Sequence, residues 1–341
     1  MFRLGQSEPT SIQHNIDIYE KRFASFGWHT IVIDGHNINE IIAAFSTARS
    51  NTGYPTAIIS KTFKGKYFVD IEDKLNWHGK ALGTASGNVI NHLLSLTKNP
   101  KITLNTITKP SFDYIWNSNS LNVVYKIDSS NYNNTKLYST REGYGNALKK
   151  LGEQDEYRKI VSLDGDVKNS TMAETFEKAF PDRLINCFIA EQNMVSAALG
   201  VSKRNMIPFC STFSTFYTRC FDQIRMAAIS FGNVKFFGSH SGTSIGQDGP
   251  SQMGLEDLSI FRAIPNIVVL YPSDIISAEK SVELAANHVG MVYIKGERNQ
   301  RAVLYSNDDT FEIGKSKVLR SSENDVMTIV SGGIVLHEGI N

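Results

Sequence analysis

Apolar residues recur along this chain with two alternating spacings. Stretches with one apolar face at helical spacing alternate with short continuous apolar runs, which are typical of buried parallel strands. In the first hundred residues this pattern predicts helices at 13–26, 38–49 and 84–96 and strands at 30–33 and 56–60. Because helices and strands alternate, we expect parallel βαβ units in this part of the chain.

The same alternation returns after residue 139. It predicts helix-like segments at 145–151, 171–180, 192–199, 215–230, 255–263 and 274–287, and strands at 160–163, 184–190, 206–210, 234–237, 267–270 and 290–294. This order predicts a doubly wound parallel sheet. A further strand is expected at 326–330, followed by a glycine turn and the first turn of a helix. The polar tract 98–140 predicts an interdomain linker.

The loop 238–258, GSHSGTSIGQDGPSQMGLEDL, is the most informative candidate site. It follows a predicted strand, opens into a predicted helix and carries His240 and Asp248. Its glycines allow the backbone to approach a ligand closely. Open α/β sheets bind ligands at the carboxyl ends of their strands, so we interpret the loop as a binding loop, with a mobile surface loop as the alternative.

Two other strand ends carry polar candidates. Glu191 directly follows an apolar run and begins a predicted helix, where the helix dipole favours a carboxylate whether or not it has a function. The turn after strand 160–163 leads to Ser170, whose hydroxyl either caps a helix or helps to hold a phosphate. Arg141 and Arg298 are isolated cations near element ends, and each is either a surface arginine or a guanidinium that binds phosphate. Phe213, Phe216 and Tyr217 form either a core segment or a stacking wall for a flat ring.

Composition narrows the class of protein. Lys and Arg number 35 against 34 Asp and Glu, so neither nucleic acid nor an anionic membrane is an expected partner. The three cysteines lack metal-ligand spacing and are interpreted as core residues in a reducing compartment. The sequence contains no closed zinc motif and no Walker-type or GxGxxG loop. Without an apolar signal or membrane segment, we expect a soluble cytoplasmic protein.

Taken in order, the motifs resemble those of the animal-type transketolases. The resemblance covers nearly the whole chain, through RLGQSEP, KTFKG, WHGK, STREGYG, LDGDVKNST, AEQNMVSAALG, PFCSTF, FDQIRMAAIS, the 238–258 loop and YPSD. It implies an α/β thiamine diphosphate-binding fold with doubly wound parallel sheets. Residues 1–97 would be the C-terminal part of a diphosphate-binding domain, 98–138 a linker and 139–305 a pyrimidine-binding domain. Residues 306–341 would be a linker and the start of an incomplete third domain, so both ends of a longer protein would be missing.

The resemblance also implies cofactor-binding residues. Glu191 would hydrogen-bond the aminopyrimidine of thiamine diphosphate and act as the main acid–base group. Phe216 would stack on the pyrimidine ring, and Gln252 would lie near the cofactor. Lys64 and His78 would lie near the diphosphate and the reaction centre, His78 with a catalytic role.

For substrates, the resemblance implies sugar phosphates. His240, with a catalytic role, and Asp248 would contact substrate hydroxyls. The groups that would hold the phosphate are Arg141, Ser170 and Arg298. The expected activity is transfer of a two-carbon ketol unit from a ketose phosphate to an aldose phosphate in the pentose phosphate pathway, by a homodimer.

The expected metal is Mg²⁺ or another divalent cation, and the Leu4 carbonyl would be one ligand. The sequence departs from the family here, because Phe2 stands where the family has a metal-binding asparagine and a phenyl ring cannot coordinate Mg²⁺. Lys66-Tyr67 replaces a glycine-containing pair, and Gln247 replaces an acidic residue. The alternative hypothesis is therefore a truncated, non-catalytic chain that dimerises without binding cofactor alone. A different thiamine enzyme, such as a deoxyxylulose phosphate synthase, fits the His78 and Glu191 contexts less well.

Overall fold

The computed structural model describes residues 3–97, 123–128 and 130–340. They belong to two compact units, Met1–Thr108 and Lys109–Asn341. Most of the polar tract expected to be a linker, 98–122, and residue 129 lie outside the described residues, as does Phe2. The domain boundaries drawn from the sequence therefore stay a prediction.

The first unit contains a two-stranded parallel sheet. β1 (His29–Asp34) pairs with β2 (Thr56–Lys61) from His29↔Thr56 to Asp34↔Lys61. Helix α2 (Ile38–Ser50) connects the two strands, α1 (Ile16–Ser25) precedes them, and α3 (Ser86–Leu96) follows a short 3-10 turn. The expected βαβ unit is confirmed.

The second unit has the expected alternation of helices and strands. Its helices are α4 (Thr140–Gln154), α5 (Lys168–Thr171), α6 (Glu174–Ala179), α7 (Glu191–Ser202), α8 (Phe221–Ile229), α9 (Asp257–Arg262), α10 (Ile275–Asn287) and α11 (Ile334–Ile340). Its strands are β3 (Ile160–Asp164), β4 (Leu184–Asn186), β5 (Ile207–Phe213), β6 (Lys235–Ser239), β7 (Val268–Leu270) and β8 (Val292–Lys295). Short 3-10 segments lie at Pro181–Arg183, Ser214–Cys220 and Pro250–Gln252.

Among the described residues, these strands form one parallel sheet in the order β4-β3-β5-β6-β8-β7. In a strand, the side chains of adjacent residues point to opposite faces of the sheet. Adjacent residues of one strand therefore pack into different hydrophobic clusters. Phe237 packs in a cluster with residues of α4 and α10, whereas Phe236 packs in a second cluster with residues of α7 and α8. Helices thus cover both faces, and the predicted doubly wound parallel sheet is confirmed. None of the helices in the described ranges is long and apolar enough to cross a lipid bilayer.

The strand predicted at 184–190 is too long. β4 ends at Asn186 because its partner β3 ends at Asp164, which is paired with Asn186. The Asn186 side chain then accepts a hydrogen bond from the Phe188 N–H at 2.8 Å, and Phe188 takes a left-handed φ of 54°. This turn stops the extended backbone and leads into α7.

Two further predictions need correction. Residues 326–330 form no strand in the part of the chain that the structure describes, and Val326 is fully exposed. A strand needs a neighbouring backbone to pair with, and the described residues place none there. The helix predicted at 215–230 is in fact a 3-10 helix, Ser214–Cys220, followed by α8.

Candidate functional site

The candidate residues of the second unit meet at the carboxyl edge of its sheet. β3, β5, β6 and β8 run parallel, so Asp164, Phe213, Ser239 and Lys295 end at the same edge. The loops that leave these ends carry the predicted ligand-binding residues. This is the edge where open α/β sheets bind ligands.

His240 occupies the centre of this edge. Its ring is 2% exposed and stacks on Phe213 with a centroid distance of 4.0 Å and an interplanar angle of 13°. Nδ1 lies 2.9 Å from the Ser239 hydroxyl. Burial, together with the charges of Arg141 and Arg298, lowers the pKa of His240 to about 4, and Asp248 opposes this shift. The ring is therefore a neutral hydrogen-bonding group at neutral pH.

Aromatic rings adjoin His240, and the acidic residue Glu191 contacts the same segment through Arg219. Phe213 stacks on Phe216 at 5.1 Å and 11°, so the half-buried Phe216 continues the flat surface. Tyr217, in contrast, is fully buried in the core and donates to the Cys210 carbonyl at 2.7 Å. Glu191 is the first residue of α7, and only 2% of it is exposed. Tyr217 is therefore a core residue, whereas a ligand-stacking role for Phe216 stays a prediction.

Two arginines, Arg141 and Arg298, lie near enough to His240 to lower its pKa. Arg298 Nη1 donates to the Asp248 carboxylate and to the Ile245 carbonyl, each at 2.9 Å. Arg141 Nη1 donates to the Ser170 carbonyl at 2.9 Å, and its buried Nε has no hydrogen-bond partner among the described residues. Burial, and then the neighbouring Arg298, lower the pKa of Arg141. Two cations held together in this way favour an anionic ligand.

Buried groups hold the two ends of the loop 240–256 together. Ser241 and Gly254 form a parallel bridge, and a Cβ added to Gly254 would lie 1.9 Å from the Ser214 hydroxyl oxygen, so only glycine fits. Asp257 accepts hydrogen bonds from Lys295 Nζ at 2.8 Å and from the Tyr293 hydroxyl at 2.6 Å. Within this closed loop, Gln252 lies in the 3-10 turn Pro250–Gln252, which packs against the 3-10 helix Ser214–Cys220.

In the first unit, the structure brings two candidates, Lys64 and His78, together beside Gly5, the neighbour of Leu4. Lys64 Nζ donates to the Gly5 carbonyl at 2.7 Å and lies 3.3 Å from His78 Nδ1. Since an ammonium group only donates, His78 Nδ1 is the acceptor. The Gly5 N–H donates to the Glu8 carbonyl, and the Thr10 N–H donates to the Arg3 carbonyl. Neither of these two bonds uses the Leu4 carbonyl.

A single carboxylate accepts hydrogen bonds from both residues of the Lys66-Tyr67 pair, which departs from the family pattern. Glu72 accepts from Lys66 Nζ at 3.0 Å and from the Tyr67 N–H at 2.8 Å. Tyr67 takes a left-handed φ of 67°, a conformation that glycine adopts more easily. Gln247 is exposed beside Asp248. Within ranges 3–97, 123–128 and 130–340, no group of three or more His, Cys, Asp or Glu residues is arranged to hold a metal ion.

Two contacts escaped sequence reasoning. Arg219 donates to Glu191, and Lys295 pairs with the buried Asp257. Arg219 lies three residues after Phe216, and in the α-helix predicted at 215–230 the two side chains would not be aligned. Asp257 follows Glu256 in a stretch that also fits an ordinary acidic helix start.

Comparison with known proteins identifies two domains in this chain. The transketolase thiamine diphosphate binding domain matches residues 8–117, and the transketolase pyrimidine binding domain matches residues 136–301. Mouse transketolase is 48% identical over 99% of this chain, which spans 53% of that protein. A split gene transketolase, described as an inactive beta4 tetramer, is 39% identical with a TM-score of 0.53, over 59% of this chain and 65% of its own. Campylobacter jejuni transketolase shares the fold, with a TM-score of 0.66 at 21% identity over 89% of this chain and 52% of its own.

The class is therefore an α/β protein with the thiamine diphosphate-binding fold. Within that class, the chain belongs to the transketolase family, a family of transferases. It spans about half the length of the curated relatives it matches.

Proposed function

We propose that this chain takes part in thiamine diphosphate-dependent transfer of a two-carbon ketol unit from a ketose phosphate to an aldose phosphate. The observation that carries the proposal is the buried Glu191 carboxylate, which accepts a hydrogen bond from Arg219 in the same 3-10 helix that carries Phe216. A flat surface next to a carboxylate suits a flat ring that has a hydrogen-bonding nitrogen. Membership of the transketolase family supports the same activity.

The residues of the second unit fit the aminopyrimidine end of the cofactor. Phe216 would stack on the ring, Gln252 would lie near it, and Glu191 would share a proton between its carboxyl oxygen and a ring nitrogen. In the first unit, Lys64 would neutralise diphosphate charge and His78 would donate from Nε2, because Nδ1 accepts from Lys64. When bound, the cofactor supplies the carbanion stabilisation that amino-acid side chains lack.

The two arginines fit the phosphate of the sugar. Arg141 has a buried Nε without a partner among the described residues, and a phosphate would offset its repulsion from Arg298. Ser170 would add contacts at the same place. Neutral His240 would hydrogen-bond a substrate hydroxyl through Nε2, since Nδ1 faces Ser239, and Asp248 would accept from a second hydroxyl. The burial of His240 keeps water away from this contact.

The proposal includes one metal ligand, the Leu4 carbonyl. A carbonyl at Leu4 is one oxygen ligand, whereas Mg²⁺ requires near-octahedral oxygen coordination, and the described residues offer no cluster of acidic or imidazole ligands. The second candidate is a non-catalytic chain that dimerises without binding cofactor alone, and it is motivated by the phenylalanine at position 2, since a phenyl ring cannot coordinate Mg²⁺. We assign no step of the reaction to a metal ion.

We also propose that the chain forms a homodimer in the cytoplasm. Large apolar side chains are exposed at two places in this unit: Phe188 and Ile189, which precede α7 and are 69% and 73% exposed, and Met226 and Ile229 on α8. Adjacent exposed apolar residues such as Phe188 and Ile189 are candidates for an association surface. The three free, buried thiols are compatible with a reducing compartment.

The Glu191→Gln variant tests the proposed activity. We expect ketol transfer, measured with thiamine diphosphate and Mg²⁺ present, to fall by about 10² to 10⁴ because acid–base help of this kind has that size. The matched control is Glu153→Gln, which alters an exposed carboxylate paired with Lys149. Equal rates in the two variants would remove Glu191 from the reaction, and no transfer by the unaltered chain would favour the non-catalytic candidate.

The phosphate-binding role of Arg298 has a separate test. We expect Arg298→Ala to raise the Michaelis constant for phosphorylated substrates by about tenfold to a hundredfold, the loss expected for a hydrogen bond to a charged group. Unphosphorylated analogues should be affected much less. Arg158→Ala, which removes an exposed arginine paired with Asp182, is the control. A similar increase for both kinds of substrate would contradict the assignment.

A further inference from the structure

The 3-10 helix Ser214–Cys220 presents an aromatic ring and a cation on one face. A 3-10 helix has three residues per turn, so side chains three positions apart are aligned. Phe216 and Arg219 have this spacing within the helix. An α-helix would rotate them apart by about 60°. The 3-10 geometry therefore places the Arg219 guanidinium beside the aromatic surface and in reach of Glu191.

The contact joins a buried group to a half-exposed one. The Glu191 side chain is 2% exposed, and that of Arg219 is 51% exposed. Arg219 Nη1 donates to Glu191 Oε2. A buried carboxylate needs a charged or hydrogen-bonding partner, and Arg219 is the cation that provides it in the described part of the chain. Among the described residues, the hydrogen bonding of the Glu191 carboxylate involves Oε2 and not Oε1.

We propose that Arg219 is a positioning residue for Glu191, holding Oε2 so that Oε1 is presented to the ligand that stacks on Phe216. This inference rests on the proposed function, in which Glu191 contacts the aminopyrimidine. The guanidinium is suited to the task because it stays charged and its donors have fixed geometry. Without this contact, the Glu191 side chain would be free to rotate, and the ligand would lose an oriented acceptor.

Arg225 provides a matched control. Its side chain is also 51% exposed, and it pairs with the exposed Asp222 three residues earlier on α8. Exposed pairs of this type contribute little to stability. A change at Arg225 therefore removes an arginine of the same exposure without touching Glu191.

The experiment measures the affinity of the full chain for thiamine diphosphate, with Mg²⁺ present, by titration calorimetry. We expect Arg219→Met to weaken binding by about tenfold or more, as for loss of a hydrogen bond that involves charged groups. Arg219→Lys should recover part of the affinity, and Arg225→Met should stay within about twofold of the unaltered chain. Because Arg219 acts through Glu191, adding Arg219→Met to Glu191→Gln should cause no further loss.

The outcomes separate the inference from the proposed function. Normal affinity in Arg219→Met, with weakened binding in Glu191→Gln, would overturn the inference alone. An undiminished effect of Arg219→Met in the Glu191→Gln background would also overturn it, since Arg219 would then act independently of Glu191. Normal affinity in Glu191→Gln, or no binding by the unaltered chain, would refute the proposed cofactor contact, and the inference with it.

Discussion

His240 is kept neutral by its surroundings, and this has a consequence for stability. Burial lowers its pKa from 6.5 to about 4. Between these values the unfolded chain binds a proton that the folded chain does not, so acid favours unfolding. The stabilising contribution of neutral His240 is complete above pH 6.5 and is lost as the pH falls toward 4.

This protonation state is directly measurable. We expect the NMR signals of ¹³C-labelled His240 to titrate near pH 4 in the folded chain. The signals are assigned by their absence in His240→Gln. A midpoint near the ordinary histidine value of about 6.5 would mean that the ring is hydrated and that its stacking on Phe213 is loose.

Asp164 has the opposite dependence on pH. Burial raises the pKa of its carboxyl to about 6, although the Val167 N–H and the Thr171 hydroxyl donate to it. The folded chain therefore holds a proton that the unfolded chain loses, and the stabilisation present below pH 3.8 is lost as the pH rises through about 6. The shift corresponds to about 3 kcal/mol.

Asp164→Asn should remove this part of the pH dependence. We compare the free energy of unfolding of Asp164→Asn with that of the unaltered chain at pH 4 and at pH 7. From pH 4 to pH 7, the difference should change by about 2–3 kcal/mol in favour of the variant. Urea unfolding at the two pH values provides the measurement. Asp166→Asn, at an exposed neighbour that accepts from Asn186, is the control. Parallel pH profiles for Asp164→Asn and the unaltered chain would show that Asp164 ionises normally.

At the scale of elements, α4 and α10 approach each other closely at Gly143. A Cβ at this position would lie 2.7 Å from the Ile275 carbonyl oxygen and 2.8 Å from the Ala278 Cβ. We expect Gly143→Ala to lower the free energy of unfolding by about 1–3 kcal/mol, as overpacking does. Gly200→Ala, on the exposed side of α7 with nothing within 4 Å of the added Cβ, should instead stabilise by about 0.5–1 kcal/mol. Urea unfolding of both variants checks the contrast, and equal effects would contradict it.

Helices and strands were predictable where local periodicity and local caps decide them. Helix α10 is an example, since Asp274 caps it by accepting the Ser277 N–H at 2.8 Å. The errors arose where a partner decides the outcome. β4 ends where β3 ends, and residues 326–330 have strand-like composition without a neighbouring strand in the described residues. Periodicity also could not distinguish the 3-10 helix Ser214–Cys220 from an α-helix, because both place apolar residues three apart.

At the scale of the whole molecule, the proposed homodimer depends on the exposed apolar residues that precede α7. Replacing Phe188 and Ile189 together by Ser should shift the sedimentation coefficient from that of a dimer to that of a monomer, because the apolar surface that favours association is lost. Tyr157→Ser, at another exposed ring in the same unit, should leave the coefficient unchanged. A dimer that persists in the double variant would place the interface elsewhere.

By itself, the sequence determined the alternation of helices and strands, the two-sided apolar character of the central strands, and the position of Glu191, His240 and Arg298 at element ends. These features depend on residues close together in the chain. Only the tertiary structure decided which side chains meet. Glu191 and Arg219 are 28 residues apart and Asp257 and Lys295 are 38 apart, and their contacts require a particular strand order and helix type. Strand order is set by the packing of both apolar faces at once, so no local pattern can specify it.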